Sequence, residues 1–187
     1  MDELLGLGEK LLLRFQSGDD DAFTEIVELY HKELANFINS IVNDRHETEH
    51  LTIETFARLA ISRHSFAGKS SLKTYLFAIG KNLAFNHIKK RNQEQHISFD
   101  EVICILVCNG ETPEVALLKE ESRLRLHEAM QNLKEDHSTV LKLLYFEDMS
   151  YLQAGVVMNK SEKQIKHLAY RAKLALKKAI ESNLFND

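Results

Sequence analysis

The chain has 187 residues, with 28 acidic and 24 basic side chains and a formal net charge of −4. One proline, seven glycines and no tryptophan argue against an all-β fold, which needs many turns. Long stretches repeat apolar residues with a helical period, so we expect an all-α protein of one or two domains. The negative total excludes a generic binder of polyanions, but basic residues concentrate in 69–91 and 160–178 and indicate two directed nucleic-acid contacts.

The N-terminal residues and the cysteines bear on the cellular compartment. Asp2, Glu3 and Glu9 accompany only a short apolar run, so we expect neither a signal peptide nor membrane insertion. Two cysteines close together, Cys104 and Cys108, give no disulfide framework. We interpret them as small apolar side chains rather than as a redox pair. These features favour a cytoplasmic protein.

Three helices are predicted before residue 62. The first covers 1–16 and ends at Gly18, and the second begins at 19–21 and runs to about Val42. Apolar residues at helical spacing form one stripe on the second helix: Phe23, Ile26, Val27, Tyr30, Leu34, Phe37, Ile38 and Ile41.

After a polar turn at 43–47, the third helix runs from about Glu47 to Ile61. Its predicted inward residues are Leu51, Thr55, Phe56 and Leu59. This register leaves four side chains outward: His50, Ile53, Glu54 and Arg58. An apolar Ile53 among charges indicates either a protein contact or partial burial.

A basic segment, 69–93, follows the loop 62–70 and contains no acidic residue. Its cations are Lys69, Lys73, Lys81, Lys89, Lys90 and Arg91. Helical spacing predicts one buried face: Leu72, Tyr75, Leu76, Ile79 and Leu83. Ser70 or Ser71 is a candidate N-cap. A helix with one buried face and a cationic remainder suits a phosphate backbone, although a basic helix is also compatible with a plain solvated surface.

The C-terminal half begins with an apolar stretch, 94–112, that has no clean helical period and holds a turn at Asn109-Gly110. Helices are predicted over 113–133, 137–146 and 150–158, the second with Val140, Leu141 and Leu144 inside. Asn159 suits a left-handed turn, and Ser161 is a candidate cap for a final basic helix that extends to about Ile180. A short helix, a tight turn and a basic helix are the outline of a helix-turn-helix.

No constellation of catalytic residues is found, so we expect neither an enzyme nor a cofactor. His46 and His50 are spaced for one helix face and are candidate metal ligands, but the sequence offers no further ligand nearby, and a tetrahedral site needs four.

The chain resembles the extracytoplasmic-function group of bacterial RNA polymerase sigma factors. In the first half the resemblance rests on Gly18-Asp19, Ala22-Phe23, Leu29-Tyr30, Glu49, Leu51, Glu54-Thr55-Phe56, Thr74-Tyr75-Leu76, Ile79 and Asn82-Leu83-Ala84. In the second half it rests on Leu133, Val140-Leu141, Ser150-Tyr151, Ile165-Lys166 and Tyr170-Arg171-Ala172-Lys173. The sequence departs from the family pattern at several positions, among them His50 for Asp, Ile53 for Gln and Tyr75 for Trp.

The resemblance implies two small helical domains joined by a linker. Residues 1–93 would form region 2, which binds core polymerase and melts the minus-ten element. Residues 94–112 would form the linker. Residues 113–187 would form region 4, whose helix-turn-helix recognises the minus-thirty-five element.

The implied partners are core RNA polymerase, through its β′ and β subunits, promoter DNA and an anti-sigma factor. The candidates for contact with the β′ coiled coil are Glu49, His50, Ile53 and Glu54. The minus-ten candidates are Phe66, Lys69, Lys73, Lys81 and Asn82. Tyr75 is interpreted as a core residue rather than a stacking platform.

For the minus-thirty-five element, the candidate base readers are Ser161, Glu162, Lys163, Lys166 and His167. The candidate phosphate contacts are Tyr170, Arg171 and Lys173. Two alternatives stay open at this point: a helix-turn-helix regulator that binds operator DNA without polymerase, and an all-α adaptor that binds no DNA. The second basic helix disfavours the adaptor.

Overall fold

The structure is a computed structural model that describes residues 6–64, 66, 68, 70–94, 126 and 128–184. In chain order the helices are α1 (Leu7–Gln16), α2 (Asp21–Val42), α3 (Arg45–Ile61), α4 (Leu72–Glu94), α5 (Glu135–Tyr145), α6 (Tyr151–Met158) and α7 (Glu162–Leu184). Residues 128–131 are also helical, and no strand occurs in these described ranges. The prediction of an all-α fold is confirmed. Lys69, Cys104, Cys108 and most of the predicted linker lie outside the described residues.

The chain divides into two compact units, each of which is described by itself. The first comprises Met1–Asp100 with Leu152–Lys160, and the second comprises Glu101–Tyr151 with Ser161–Asp187.

Helix α2 is the centre of the first unit, and α1, α3 and α4 all pack against it. Its predicted stripe is confirmed at the deepest positions, because Ile26, Leu34 and Ile38 are fully buried. The rings of Phe37 and Phe77 lie 4.9 Å apart and join α2 to α4. Removal of these side chains from water is the main stabilising contribution to the unit.

The helix ends in this unit follow local chemistry. Gly18 has a φ of 100°, as expected for a glycine that ends α1. Asn43 adopts the left-handed conformation at the end of α2, and the Asp44 carboxylate accepts a hydrogen bond from the Glu47 amide at 3.0 Å. This cap starts α3 at Arg45. The predicted polar turn at 43–47 was therefore too long.

Helix α4 differs from its prediction. Leu72, Leu76 and Leu83 are buried as expected, whereas Tyr75 and Ile79 are only half-buried. Thr74, Phe77 and Ala84 are fully buried as well, although they fall outside the predicted face. The prediction of one buried face and a cationic remainder is wrong, because neighbouring helices cover α4 over much more of its circumference.

In the second unit α5 packs against α7. Val140 and Leu143 of α5 and Ile165 and Ala172 of α7 are fully buried. Val140 and Leu141 are buried as predicted and Leu144 is half-buried, whereas the fully buried Leu143 was not among the predicted inward residues. Helix α5 also begins at Glu135, before the predicted start, and α7 continues to Leu184, beyond the predicted end.

Candidate nucleic-acid interface

An aromatic pair joins the α3–α4 connection, defined as residues 62–71, to the first turn of α4. The rings of Phe66 and Tyr75 are 5.0 Å apart at an interplanar angle of 65°, an edge-to-face arrangement. The hydroxyl oxygens of Tyr75 and Ser62 lie 3.2 Å apart, within hydrogen-bond distance. The hydroxyl of Ser71 accepts from the Thr74 amide at 3.2 Å, which confirms Ser71 as the N-cap of α4. Phe66 therefore stands beside a fixed helix start.

The two described lysines among the minus-ten candidates have protein neighbours. The Lys73 ammonium lies 2.9 Å from the Glu33 carboxylate and 5.4 Å from the centre of the Phe77 ring. Lys81 is only 9% exposed, and its ammonium lies 5.4 Å from the centre of the Phe85 ring. Asn82 is exposed on α4. No sequence pattern indicated that Lys81 would be largely buried.

The outer face of α3 presents the four polymerase candidates. Ile53 is 59% exposed, which answers the question of burial in favour of an accessible side chain. Glu54 pairs with Arg58 one turn later at 2.7 Å, and Glu49 lies 3.7 Å from the imidazole of His31 on α2. His50 is exposed. Among the described residues, no three His, Cys, Asp or Glu side chains are grouped in a way that could hold a metal ion.

The N-terminus of α7 is capped by two reciprocal hydrogen bonds between Ser161 and Gln164. The Ser161 hydroxyl accepts from the Gln164 amide at 3.3 Å, and the Gln164 side-chain oxygen accepts from the Ser161 amide at 2.8 Å. The predicted cap at Ser161 is confirmed. The pattern Ser-x-x-Gln is a capping-box signature, so the role of Gln164 was readable from the sequence and was missed. The left-handed Asn159, with a φ of 53°, precedes this cap as predicted.

The polar face of α7 is exposed along its length, because its apolar residues gather on the opposite side. Ile165, Leu168, Ala169 and Ala172 are the buried residues. All eight candidates for the minus-thirty-five contact are exposed: Ser161, Glu162, Lys163, Lys166, His167, Tyr170, Arg171 and Lys173. The structure thus places them on the solvent-exposed side of α7 and at its cap.

Two cations on α7 are held by neighbours. Lys166 lies 2.6 Å from Glu162, and a hydrogen bond to that carboxylate raises the pKa of Lys166. The ammonium of Lys173 lies 4.9 Å from the ring centre of Tyr145, and a hydrogen bond to the tyrosine raises the pKa of Lys173. Both side chains therefore stay cationic at neutral pH, as a contact with phosphate requires.

Helix α1 supplies contacts that the sequence analysis did not anticipate. The Glu9 carboxylate accepts a hydrogen bond from the Leu72 amide at 2.9 Å. The Gln16 side chain donates to the Arg63 carbonyl oxygen at 2.5 Å. Each contact joins residues far apart in the chain, so no local sequence pattern could have indicated it.

No helix in the described part of the chain combines the length and the apolar composition that a bilayer span requires.

Comparison with known protein families gives two matches. The family model described as Sigma-70 region 2 matches residues 26–94. The model described as Sigma-70, region 4 matches residues 123–176. The first match contains α3, α4 and most of α2, and the second contains α5, α6 and the first part of α7.

Curated proteins and solved structures agree with these matches. The ECF RNA polymerase sigma factor SigM of Bacillus subtilis is 31% identical, and the alignment covers 82% of this chain and 91% of SigM. The RNA polymerase sigma-H factor of Pseudomonas aeruginosa is 28% identical, with 92% of this chain and 93% of the relative covered.

Two solved structures share the fold. One is CnrH in complex with the cytosolic domain of CnrY, with a TM-score of 0.69, 19% identity, and coverage of 92% of this chain and 96% of that one. The other is the sigma factor RpoE in complex with the anti-sigma factor NepR from Bartonella quintana, with a TM-score of 0.69, 22% identity, and coverage of 85% and 96%. The chain belongs to the extracytoplasmic-function group of RNA polymerase sigma factors, and it binds core RNA polymerase and directs promoter-specific initiation of transcription.

Proposed function

We propose that two parts of the chain, residues 1–93 and 113–187, have different functions and are joined by a linker at 94–112. The first part binds core polymerase and melts the minus-ten element, and the last part reads the minus-thirty-five element. The location is the cytoplasm, and the chain acts as an initiation factor with no catalytic step of its own. What supports this division is the pair of separate family matches, region 2 over residues 26–94 and region 4 over residues 123–176.

The outer face of α3 is the polymerase contact. An exposed Ile53 within a rim of Glu49, His50 and Glu54 has the anatomy of an interface hot spot, an apolar centre surrounded by polar groups. The acidic rim suits a basic coiled coil of the β′ subunit. Hydrophobic residues of the second unit would hold the flap of the β subunit.

Ile53 has a matched control at the end of the same helix. Ile61 is the same residue type and is 87% exposed. We expect Ile53→Ala to weaken binding to core polymerase about tenfold, whereas Ile61→Ala leaves it unchanged. Fluorescence anisotropy of labelled protein titrated with core polymerase measures both. Equal affinities for the two variants would remove α3 from the interface.

The α3–α4 connection captures a minus-ten base. A flipped base costs a few kcal/mol to unstack, and stacking on an aromatic ring returns about 1–3 kcal/mol. Phe66 supplies the ring, Tyr75 supports it, and Lys73, Lys81 and Asn82 lie on the helix that follows. We also assign Lys69 to this strand. Lys73 is paired with Glu33, and Lys81 is almost fully buried. We therefore propose that these two lysines stabilise the structure around the site rather than contact phosphate directly.

Helix α7 enters the major groove of the minus-thirty-five element, with its N-terminal residues toward the bases. The hydroxyl of Ser161 is engaged by the helix cap, so base reading falls mainly to Glu162, Lys163, Lys166 and His167. Tyr170, Arg171 and Lys173 follow along the same face and contact phosphate.

An anti-sigma protein is the expected regulator. Two proteins of the same fold, CnrH and RpoE, were solved in complex with CnrY and with the anti-sigma factor NepR. A protein of that kind would hold this chain away from core polymerase.

Run-off transcription tests the proposal as a whole. Core polymerase is given upstream fragments of the source genome, with and without the chain. We expect specific starts only when the chain is present. If the chain neither associates with core polymerase nor redirects initiation, yet shifts duplex DNA alone, a regulator that works without polymerase replaces this proposal.

A further inference from the structure

Helix α1 holds the beginning of the α3–α4 connection. The Gln16 amide group donates to the carbonyl oxygen of Arg63 at 2.5 Å. The Arg63 guanidinium lies 5.3 Å from the ring centre of Phe15 and 3.8 Å from the Asp20 carboxylate. Arg63, just after α3, is thus anchored through its backbone carbonyl and through its side chain. Its partners lie in the last turn of α1 and at Asp20.

The same helix holds the end of the connection. Leu72 is the first residue of α4, and its amide has no acceptor within that helix. The Glu9 carboxylate accepts from this amide at 2.9 Å. A carboxylate at a helix N-terminus also complements the partial positive charge there. Helix α4 therefore begins with two caps, the local Ser71 and the distant Glu9.

Helix α1 is itself held in one position. Leu11, Leu12 and Phe15 bury its inner face. Gly8 lies against the hydroxyl of Tyr30 on α2, and a Cβ at position 8 would collide with that hydroxyl. Burial, and then the charges of Glu9 and Glu33, raise the pKa of Tyr30, so the hydroxyl stays neutral beside the Glu9 carboxylate.

We propose that α1 is a strap that positions Phe66 by anchoring Arg63 before it and Leu72 after it, with Glu9 and Gln16 as positioning residues for capture of the minus-ten base. Phe66 stands between the two anchored points. A ring that must meet a flipped base gains affinity when its connection is ordered beforehand, because less conformational freedom is lost on binding. The inference rests on the proposed role of Phe66 in base capture.

Holoenzyme assembled from core polymerase and the full chain provides the test. The probe is a fluorescent single strand carrying the minus-ten segment of the promoter that run-off transcription identifies. We expect Glu9→Ala and Gln16→Ala each to weaken binding of this strand about fivefold, the equivalent of one helix cap. Glu9→Gln keeps an acceptor without the charge and should fall between Glu9→Ala and the unaltered chain. Affinity for core polymerase should not change in any of them.

Controls separate positioning from general stability. Glu28→Ala removes an exposed carboxylate from α2 and should leave strand binding unchanged. If Glu9→Ala weakens core binding and strand binding by the same factor, its role is structural and the strap proposal fails. If Glu9→Ala strengthens strand binding, the carboxylate competes with DNA, and the proposal fails in that case too.

Phe66→Ala distinguishes this inference from the function on which it rests. If Phe66→Ala weakens strand binding while Glu9→Ala and Gln16→Ala do not, base capture stands and the strap is overturned. If Phe66→Ala has no effect, the capture role of the connection is wrong, and the strap is overturned with it.

Discussion

Helices α4 and α7 have the same length, 23 residues, and similar basic character, yet the fold uses them in opposite ways. The first half of α4 is covered over much of its circumference, and its Lys73 and Lys81 lie against Glu33, Phe77 and Phe85, whereas Lys89 and Lys90 near its end are exposed. Helix α7 buries one narrow stripe and leaves its polar face in solvent.

This difference in exposure determines which side chains of each helix are accessible to a ligand. Because the first half of α4 is largely covered, we propose that it positions the connection before it rather than contacting DNA along its length. A helix with one open face can enter a groove directly. Of four measurements, ordered from the largest expected effect to the smallest, all but the second test this contrast.

The largest effect is expected in the core. Phe77→Ala removes a fully buried ring that packs on Phe37, which should cost about 3–5 kcal/mol of the free energy of unfolding. Tyr170→Ala, at a position on α7 that is 65% exposed, should change it by less than about 0.5 kcal/mol. Chemical denaturation followed by circular dichroism compares them. Similar losses would mean that α7 is covered as α4 is.

The next effect concerns a half-buried lysine, Lys142, in the second unit. Burial lowers the pKa of Lys142 to about 8 from its usual 10.5. Between these values the unfolded chain binds more protons than the folded one, so stability rises with pH across this window. Below pH 8 both states are charged, and folding bears the cost of burying that charge.

Lys142→Met removes this cost. We expect the variant to be more stable by about 1–3 kcal/mol at pH 7, with the advantage shrinking as the pH approaches 10.5. Thermal midpoints of both proteins across this range provide the measurement. A constant difference at every pH would show that the charge of Lys142 is not the cause.

The cap of α7 should have an effect of about 1 kcal/mol. Ser161→Ala removes the acceptor for the Gln164 amide and should fray the first turn, lowering both stability and affinity for the minus-thirty-five duplex. Ser161→Asp keeps a capping oxygen but adds a negative charge near DNA. It should retain stability and still lose affinity. Retention of affinity in Ser161→Asp would place the start of α7 away from phosphate.

The smallest effect is that of a single cation. Lys166→Ala should weaken binding of promoter DNA by holoenzyme several-fold and reduce the slope of log affinity against log salt by about one, if the ammonium meets a phosphate. Lys177→Ala, further along the same helix and paired with Glu181 at 3.8 Å, is the control and should change neither. An unaltered slope for Lys166→Ala would show that its ammonium contacts no phosphate and serves only the base reading proposed for it, whereas unaltered affinity would remove it from the interface.

The elements that follow from local chemistry were predictable. The stripe on α2, the left-handed turn at Asn159 and the caps at Ser71 and Ser161 were all readable, because each depends on residues within one or two helical turns. The exposure of the candidate face on α7 was readable for the same reason.

Other features were beyond the reach of sequence patterns. Helical periodicity identifies the most apolar face of α4 but not how many helices cover it, so the burial of Phe77 and Lys81 was missed. The full burial of Leu143 was missed as well, because Leu143 and Leu144 are both leucines and periodicity alone does not show which lies deeper.

The sequence by itself determined the helices, their caps, the basic segments and the resemblance to sigma factors, since these depend on residue type and short spacing. Only the tertiary structure decided that Glu9 and Gln16 reach the two ends of the α3–α4 connection. Contacts of this kind depend on how α1 packs against its neighbours. Hydrophobic burial selects that packing for the whole unit, and no single segment specifies it.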